Sequence, residues 1–96
     1  MNKKALLQAN RDEIIRIAAG RDARHVRVFG SVVRGEERPE SDIDFLMEFG
    51  PNTSLLDHAA LIRELEELLG CKVDVVNDRA IKDRLREPIL REAIPL

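Results

Sequence analysis

The sequence predicts an α/β domain: a small, twisted sheet of three or four strands, mixed in direction, with helices packed on it. Three observations predict it. Apolar spacing switches between helical and strand periods along the chain, in the order helix, strand, short helix, strand, helix, strand, helix. The strand candidates HVRVF, FLMEF and KVDVV are short and rich in β-branched or aromatic residues. At 96 residues the chain suits one domain, 1–96, with one modest core and no room for a second.

Residues 3–19 read as helix, with Leu7, Ile14, Ile15 and Ala18 on one side and Lys4, Arg11, Asp12 and Arg16 largely opposite. Asn10, ahead of Asp12 and Glu13, can cap a second helical segment and so divide this stretch. Gly20 ends it. Residues 25–29 form the first strand, with His25 at its entrance and no ligand role expected for it. A short helical turn follows Gly30, and the charged spacer EERPE then reads as a loop, because Pro39 cannot continue a helix. The second strand, FLMEF, closes at Gly50, Pro51 and Asn52. Ser54 with Asp57 makes a capping-box-like start to a helix running to about Leu69, with Leu61, Ile62, Leu65, Leu68 and Leu69 as its apolar stripe. Arg63, Glu64, Glu66 and Glu67 are expected in solvent, and His58 on the surface. Gly70 stops the helix, and Lys72–Val76 is the third strand. Asn77 and Asp78 are expected to cap a last helix from Arg79 onward, which Pro88 interrupts, leaving ILREAIPL as a final turn and tail.

Bulk properties exclude several classes. A balance of 16 Lys+Arg against 18 Asp+Glu gives a net charge of -2, which argues against direct nucleic-acid binding through a basic excess. No apolar run approaches the ~20 residues of a membrane span, and the N-terminus lacks the apolar stretch of a secretory signal. The expected location is cytoplasmic. Cys71, the one cysteine, cannot form an internal disulfide and reads as a buried thiol at a strand start.

Chemistry concentrates between Gly30 and Asp44, in GSVVRGEERPESDID. A Gly-Ser turn leaving a strand, followed by a helical turn, presents backbone N–H groups suited to a phosphate. Arg34 lies one helical turn beyond Ser31, and its guanidinium matches phosphate geometry. Arg38, at the rim, is a weaker candidate for the same contact. Asp42 and Asp44 stand at i and i+2, which in an extended chain brings both carboxylates to one face. Such a pair is costly unless it binds a cation, and hard oxygen donors suit Mg²⁺ or Mn²⁺. Asp74 sits between valines, where an ionised carboxylate is expensive to bury unless a metal pairs with it. The bland alternative is an Asp facing solvent at a sheet edge.

The pattern of Gly30, Ser31, Arg34, Gly35, Ser41, Asp42, Ile43 and Asp44 resembles the signature of the DNA-polymerase-β-like nucleotidyltransferases, and the short chain resembles their minimal branch. Val33 departs from it, standing where the family often has Ala, which bears on packing under the turn more than on chemistry. The resemblance implies the nucleotidyltransferase fold, with the two strands flanking the motif side by side and the Asp74 strand next to that of Asp42 and Asp44. It implies Asp42, Asp44 and Asp74 as catalytic residues and ligands of two Mg²⁺ ions, about 3.5–4 Å apart. It also implies that Gly30, Ser31 and Arg34 hold the triphosphate of ATP, with Asp74 taking the proton of the incoming hydroxyl.

Because 96 residues leave no room for an acceptor-holding domain, the acceptor surface must be borrowed. The resemblance is to stand-alone minimal members that act as antitoxins, transferring AMP to a tyrosine of a HEPN-type RNase toxin. Two other readings stay open: an antitoxin that only covers its partner, and a small-molecule nucleotidyltransferase working as a homodimer.

Overall fold

The computed structural model describes residues 2–96. The chain runs α1 (Lys3–Ala9), α2 (Arg11–Ala19), β1 (Ala23–Phe29), a one-turn helix α3 (Ser31–Arg34), β2 (Ile43–Phe49), α4 (Leu55–Leu69), β3 (Val73–Asn77), a 3-10 turn (Asp78–Ala80), α5 (Asp83–Glu92) and β4 (Ile94–Pro95). The four strands lie in the order β3-β2-β1-β4. Strand β1 runs antiparallel to both β2 and β4, while β2 and β3 are parallel, so the sheet is mixed as expected. No helix among the described residues is long and apolar enough to cross a membrane.

The first helical stretch divides at Asn10, whose amide donates to the Leu6 carbonyl at 2.9 Å, closing α1 instead of capping α2. Leu7, Ile14 and Ala18 then face the sheet, but Ile15 is exposed. Helix α4 begins at the expected capping box, with the Ser54 and Asp57 side chains each bonded to the other's backbone N–H. Its Leu61, Leu65 and Leu69 join Phe45, Met47, Val73 and Val75 of the sheet in the buried core.

Several surface expectations fail where long side chains fasten one element to another. Glu64 and Glu66 are half-buried: Glu64 pairs with Arg21 at 2.6 Å, and Glu66 accepts the Val73 N–H at 3.1 Å. His58 is half-buried as well, its Nε2 lying 2.8 Å from the Val75 carbonyl and its ring meeting Phe49 edge-on. The C-terminal region departs furthest. Asn77 caps only a 3-10 turn, accepting the Arg79 N–H at 3.2 Å, and the last helix begins at Asp83. Pro88 does not interrupt it. The helix is exposed, so the Arg84 carbonyl that Pro88 cannot bond is not one the core must satisfy, and helical bonding is present at Ala93, which donates to Ile89 at 2.9 Å. Part of the expected tail, Ile94–Pro95, is a fourth strand on β1.

Candidate active site

Strand β1 delivers the chain to Gly30, whose φ of 82° and ψ of −156° are strained for any residue with a side chain. A Cβ there would also collide with the Asp44 carboxylate. The positive φ is what requires glycine here, and its bare Cα is also what lets the Asp44 carboxylate lie against the turn. Helix α3 follows, with Val33 and Arg34 donating to the Gly30 carbonyl at 3.0 and 3.1 Å, and it ends at Gly35 in the left-handed region. Val32 is buried and Val33 half-buried against the core.

The acidic residues come from the start of β2 and from β3. Ile43 and Phe45 are fully buried, so Asp44 between them points to the opposite face of the sheet, where it is half-buried. In the parallel ladder Asp44 stands opposite Asp74, and in the antiparallel one opposite Phe29. Asp42, one residue before the strand, is exposed. Burial pushes the Asp44 carboxyl up to about 6, helped by the nearby charges of Asp74, Asp42 and Glu92 and opposed by Arg34. These carboxylates are neighbours with too little positive charge among them.

Asp74 corrects one premise. It is exposed, because β3 is the edge strand of the sheet, so the cost of burying an ion plays no part in its placement. Its place beside Asp44 is what ties it to the site. The three carboxylates are also not drawn into one tight cluster. Among the described residues, ligating atoms all within 4.8 Å of one another occur at His25, Glu48 and Asp78. There the charge is already met by arginines: Glu48 bonds Arg24 at 3.0 Å and Arg79 at 3.2 Å, and Asp78 bonds Arg27 at 2.7 Å.

Two residues that the sequence did not mark as part of this region belong to it. Lys3 is nearly buried, and its Nζ donates to the carbonyls of Arg38, Pro39 and Ser41 at 2.8, 3.3 and 2.7 Å, fastening the spacer just before Asp42. Arg38 contributes only backbone there, and its side chain is not among the groups bonded at the site. Glu92, the last residue of α5, accepts the Gly30 N–H at 2.8 Å and the Arg34 Nη1 at 2.6 Å. Neither could be read from spacing, because the contacts close over 34 or more residues of chain.

The arrangement is open. A cavity of about 290 Å³ lies under the turn, lined by Leu7, Val28, Val32 and Ile94 among others, but it does not include the carboxylates. Asp42 and Asp74 instead stand on an exposed rim.

Comparison with known proteins follows the same lines. A family model described as a nucleotidyltransferase domain matches residues 11–96. A Methanocaldococcus jannaschii protein with the inferred name of protein adenylyltransferase is 44% identical over 82 residues, covering 85% of this chain and 88% of that protein. A Thermococcus cleftensis protein named protein adenylyltransferase MntA is 42% identical over 71 residues, covering 74% and 72%. A solved structure described as a minimal nucleotidyltransferase has a TM-score of 0.88 at 50% identity, over 100% of this chain and 97% of that one. A solved complex described as tri-AMPylated Shewanella oneidensis HEPN toxin with MNT antitoxin contains a chain of the same fold, with a TM-score of 0.70 at 20% identity over 92% and 69%.

Proposed function

This chain belongs to the nucleotidyltransferase domain family, and on that premise we propose that it transfers AMP from ATP to a tyrosine hydroxyl of a HEPN-type toxin, acting as its antitoxin. The observation that carries this reading is the meeting of Asp44 and Asp74 in register beside the Gly30 turn. The named activity of the adenylyltransferase relatives supports the reaction, and the toxin complex of the same fold supports the kind of partner. The open rim supports a macromolecular acceptor, since an enclosed pocket suits a small one.

The donor set fits a hard divalent cation. Asp44 and Asp74 stand opposite each other with Asp42 two residues before Asp44, and burial together with the charges of Asp74 and Asp42 raises Asp44, so bound positive charge would relieve what the fold leaves unbalanced. Asp42, Asp44 and Asp74 would hold two Mg²⁺ ions, which supply charge neutralisation for the triphosphate and acidify an incoming hydroxyl. Gly30, Ser31 and Arg34 orient the outer phosphates. Asp74, exposed on the edge strand, takes the proton of the acceptor hydroxyl. The hydroxyl oxygen forms its bond to the α-phosphorus as the bond to pyrophosphate breaks, and pyrophosphate leaves with the electron pair.

This chain is a poor acceptor for itself. It contains no Tyr, and its hydroxyl residues are Ser31, Ser41, Thr53 and Ser54. Thr53 donates to the Arg21 and Asp22 carbonyls at 3.0 and 2.9 Å, Ser54 caps α4, and Ser41 accepts the Arg38 N–H at 2.8 Å. Incubated with ATP, Mg²⁺ and a Tyr-bearing HEPN partner, the partner should gain about 329 Da per AMP and this chain nothing. Asp44→Asn should abolish the gain and fail to relieve toxicity in cells. Relief by Asp44→Asn would mean that the chain neutralises by covering its partner; transfer at the wild-type rate would remove Asp44 from the chemistry.

A further inference from the structure

Resting on the nucleotide-transfer reading, we propose that Glu92 is a built-in competitor for the phosphate seat: its carboxylate occupies the Gly30 N–H and the Arg34 guanidinium, and the triphosphate must displace it to bind. One carboxylate oxygen accepts the Gly30 N–H at 2.8 Å and the other accepts Arg34 at 2.6 Å. This is how a phosphate would use the same two donors, through separate oxygens and a charge-assisted bond. A backbone N–H has one proton to give, so Glu92 and a phosphate oxygen exclude each other at Gly30.

Four further observations favour competition over simple support of Arg34. Glu92 adds a negative charge beside Asp44, which already faces Asp42 and Asp74, so the contact forms against electrostatic opposition. Burial alone would raise the Glu92 carboxyl, but hydrogen bonds from Arg34 and Gly30 and the Arg34 charge together hold it below the ordinary range, leaving it an anion at neutral pH. Helix α5 contributes no buried residue, and Leu85 and Leu90 on it are exposed, so little apolar contact holds Glu92 in place. Arg34 keeps a second carboxylate, Glu36, at 3.1 Å, so it is not left unpartnered when Glu92 leaves.

Calorimetric titration of ATP with Mg²⁺ into the wild-type protein, Glu92→Gln and Glu92→Ala tests this by sign. Removing an internal competitor raises the fraction of open seat, so both variants should bind ATP about five- to tenfold more tightly. Glu87→Gln, on the same helix and paired with Arg91 in solvent, is the charge control and should stay within about twofold of wild type. Equal or weaker ATP binding by Glu92→Gln and Glu92→Ala would overturn the competitor and assign Glu92 to supporting Arg34, leaving the transfer reading intact. An equal gain in Glu87→Gln would overturn it too, as a net-charge effect. Absence of ATP binding in every protein would overturn the transfer reading itself, and the competitor with it.

Discussion

Strand β2 and helix α5 meet at the same site from opposite kinds of surroundings. In β2, Ile43, Phe45, Leu46, Met47 and Phe49 are all buried, and the strand is flanked by β1 and β3. In α5 no residue is buried, and its end is fastened to the turn by Glu92. The carboxylate that β2 carries, Asp44, is therefore positioned by the core, while the one that α5 carries is positioned by the very groups it binds. A site assembled from one fixed and one weakly held anion can exchange the second for a ligand without disturbing the first.

The widest test of that contrast is stability. Phe45→Ala removes a fully buried ring from the central strand and should cost about 3–5 kcal/mol, a large part of the roughly 5–15 kcal/mol that holds such a domain together. Leu90→Ala, on α5, should stay within about 0.5 kcal/mol. Denaturant melts of the two variants decide it, and a loss of several kcal/mol from Leu90→Ala would show that α5 is part of the cooperative core.

A smaller effect comes from Asp44, whose fixed position forces its charge on its neighbours. Its folded-state pKa of about 6 lies above the unfolded value, so between about pH 4 and 6 the folded protein holds a proton that the unfolded chain has released. Stability from this group therefore falls as pH rises through that window. Asp44→Asn should match wild type below about pH 4 and exceed it above about pH 6. Discounted for the partial exposure of Asp44, the gain is about 1 kcal/mol, or about 4–8 °C in Tm. Mg²⁺ should stabilise wild type more than the variant and narrow the gap. A gain that is constant with pH would point to packing instead of charge.

What was legible in the sequence follows the same division. Strand and helix order, the Asn10 break and the α4 capping box were readable, because each depends on local periodicity or on a turn chemistry that the core then enforces, while the pairing of the motif strands came from the resemblance to the nucleotidyltransferases. Asp74 was placed in the right strand for a reason the structure removes, since its strand is an edge and its side chain is exposed. Lys3, Glu64, Glu66 and His58 look like ordinary surface residues in sequence, and only the assembled fold brings each to a backbone or charged partner. The C-terminal region departs from expectation at both ends of its helix: Asn77 caps a 3-10 turn ahead of a later helix start at Asp83, and Pro88 is carried inside an exposed helix that proline rules alone would end. Glu92 lies in that stretch. Its contacts close over 58 and 62 residues of chain, so no local pattern could mark it as part of the site.

The smallest effect, and the sharpest test of whether α5 moves on its own, is Pro88→Ala. Proline in an exposed helix interior costs up to about 3 kcal/mol relative to alanine, so the substitution should tighten α5 locally. If α5 frays before the core melts, that gain is spent below the main transition, and the global Tm should move by less than about 2 °C. Amide exchange should nevertheless slow measurably across Glu87–Ala93, because local opening of the helix has become rarer. A firmer α5 should also hold Glu92 longer on Gly30 and Arg34, so ATP should bind slightly more weakly to Pro88→Ala than to wild type. A rise of several degrees in global Tm would join α5 to the core as one unfolding unit, and the division between the fixed and the releasable carboxylate would then fail.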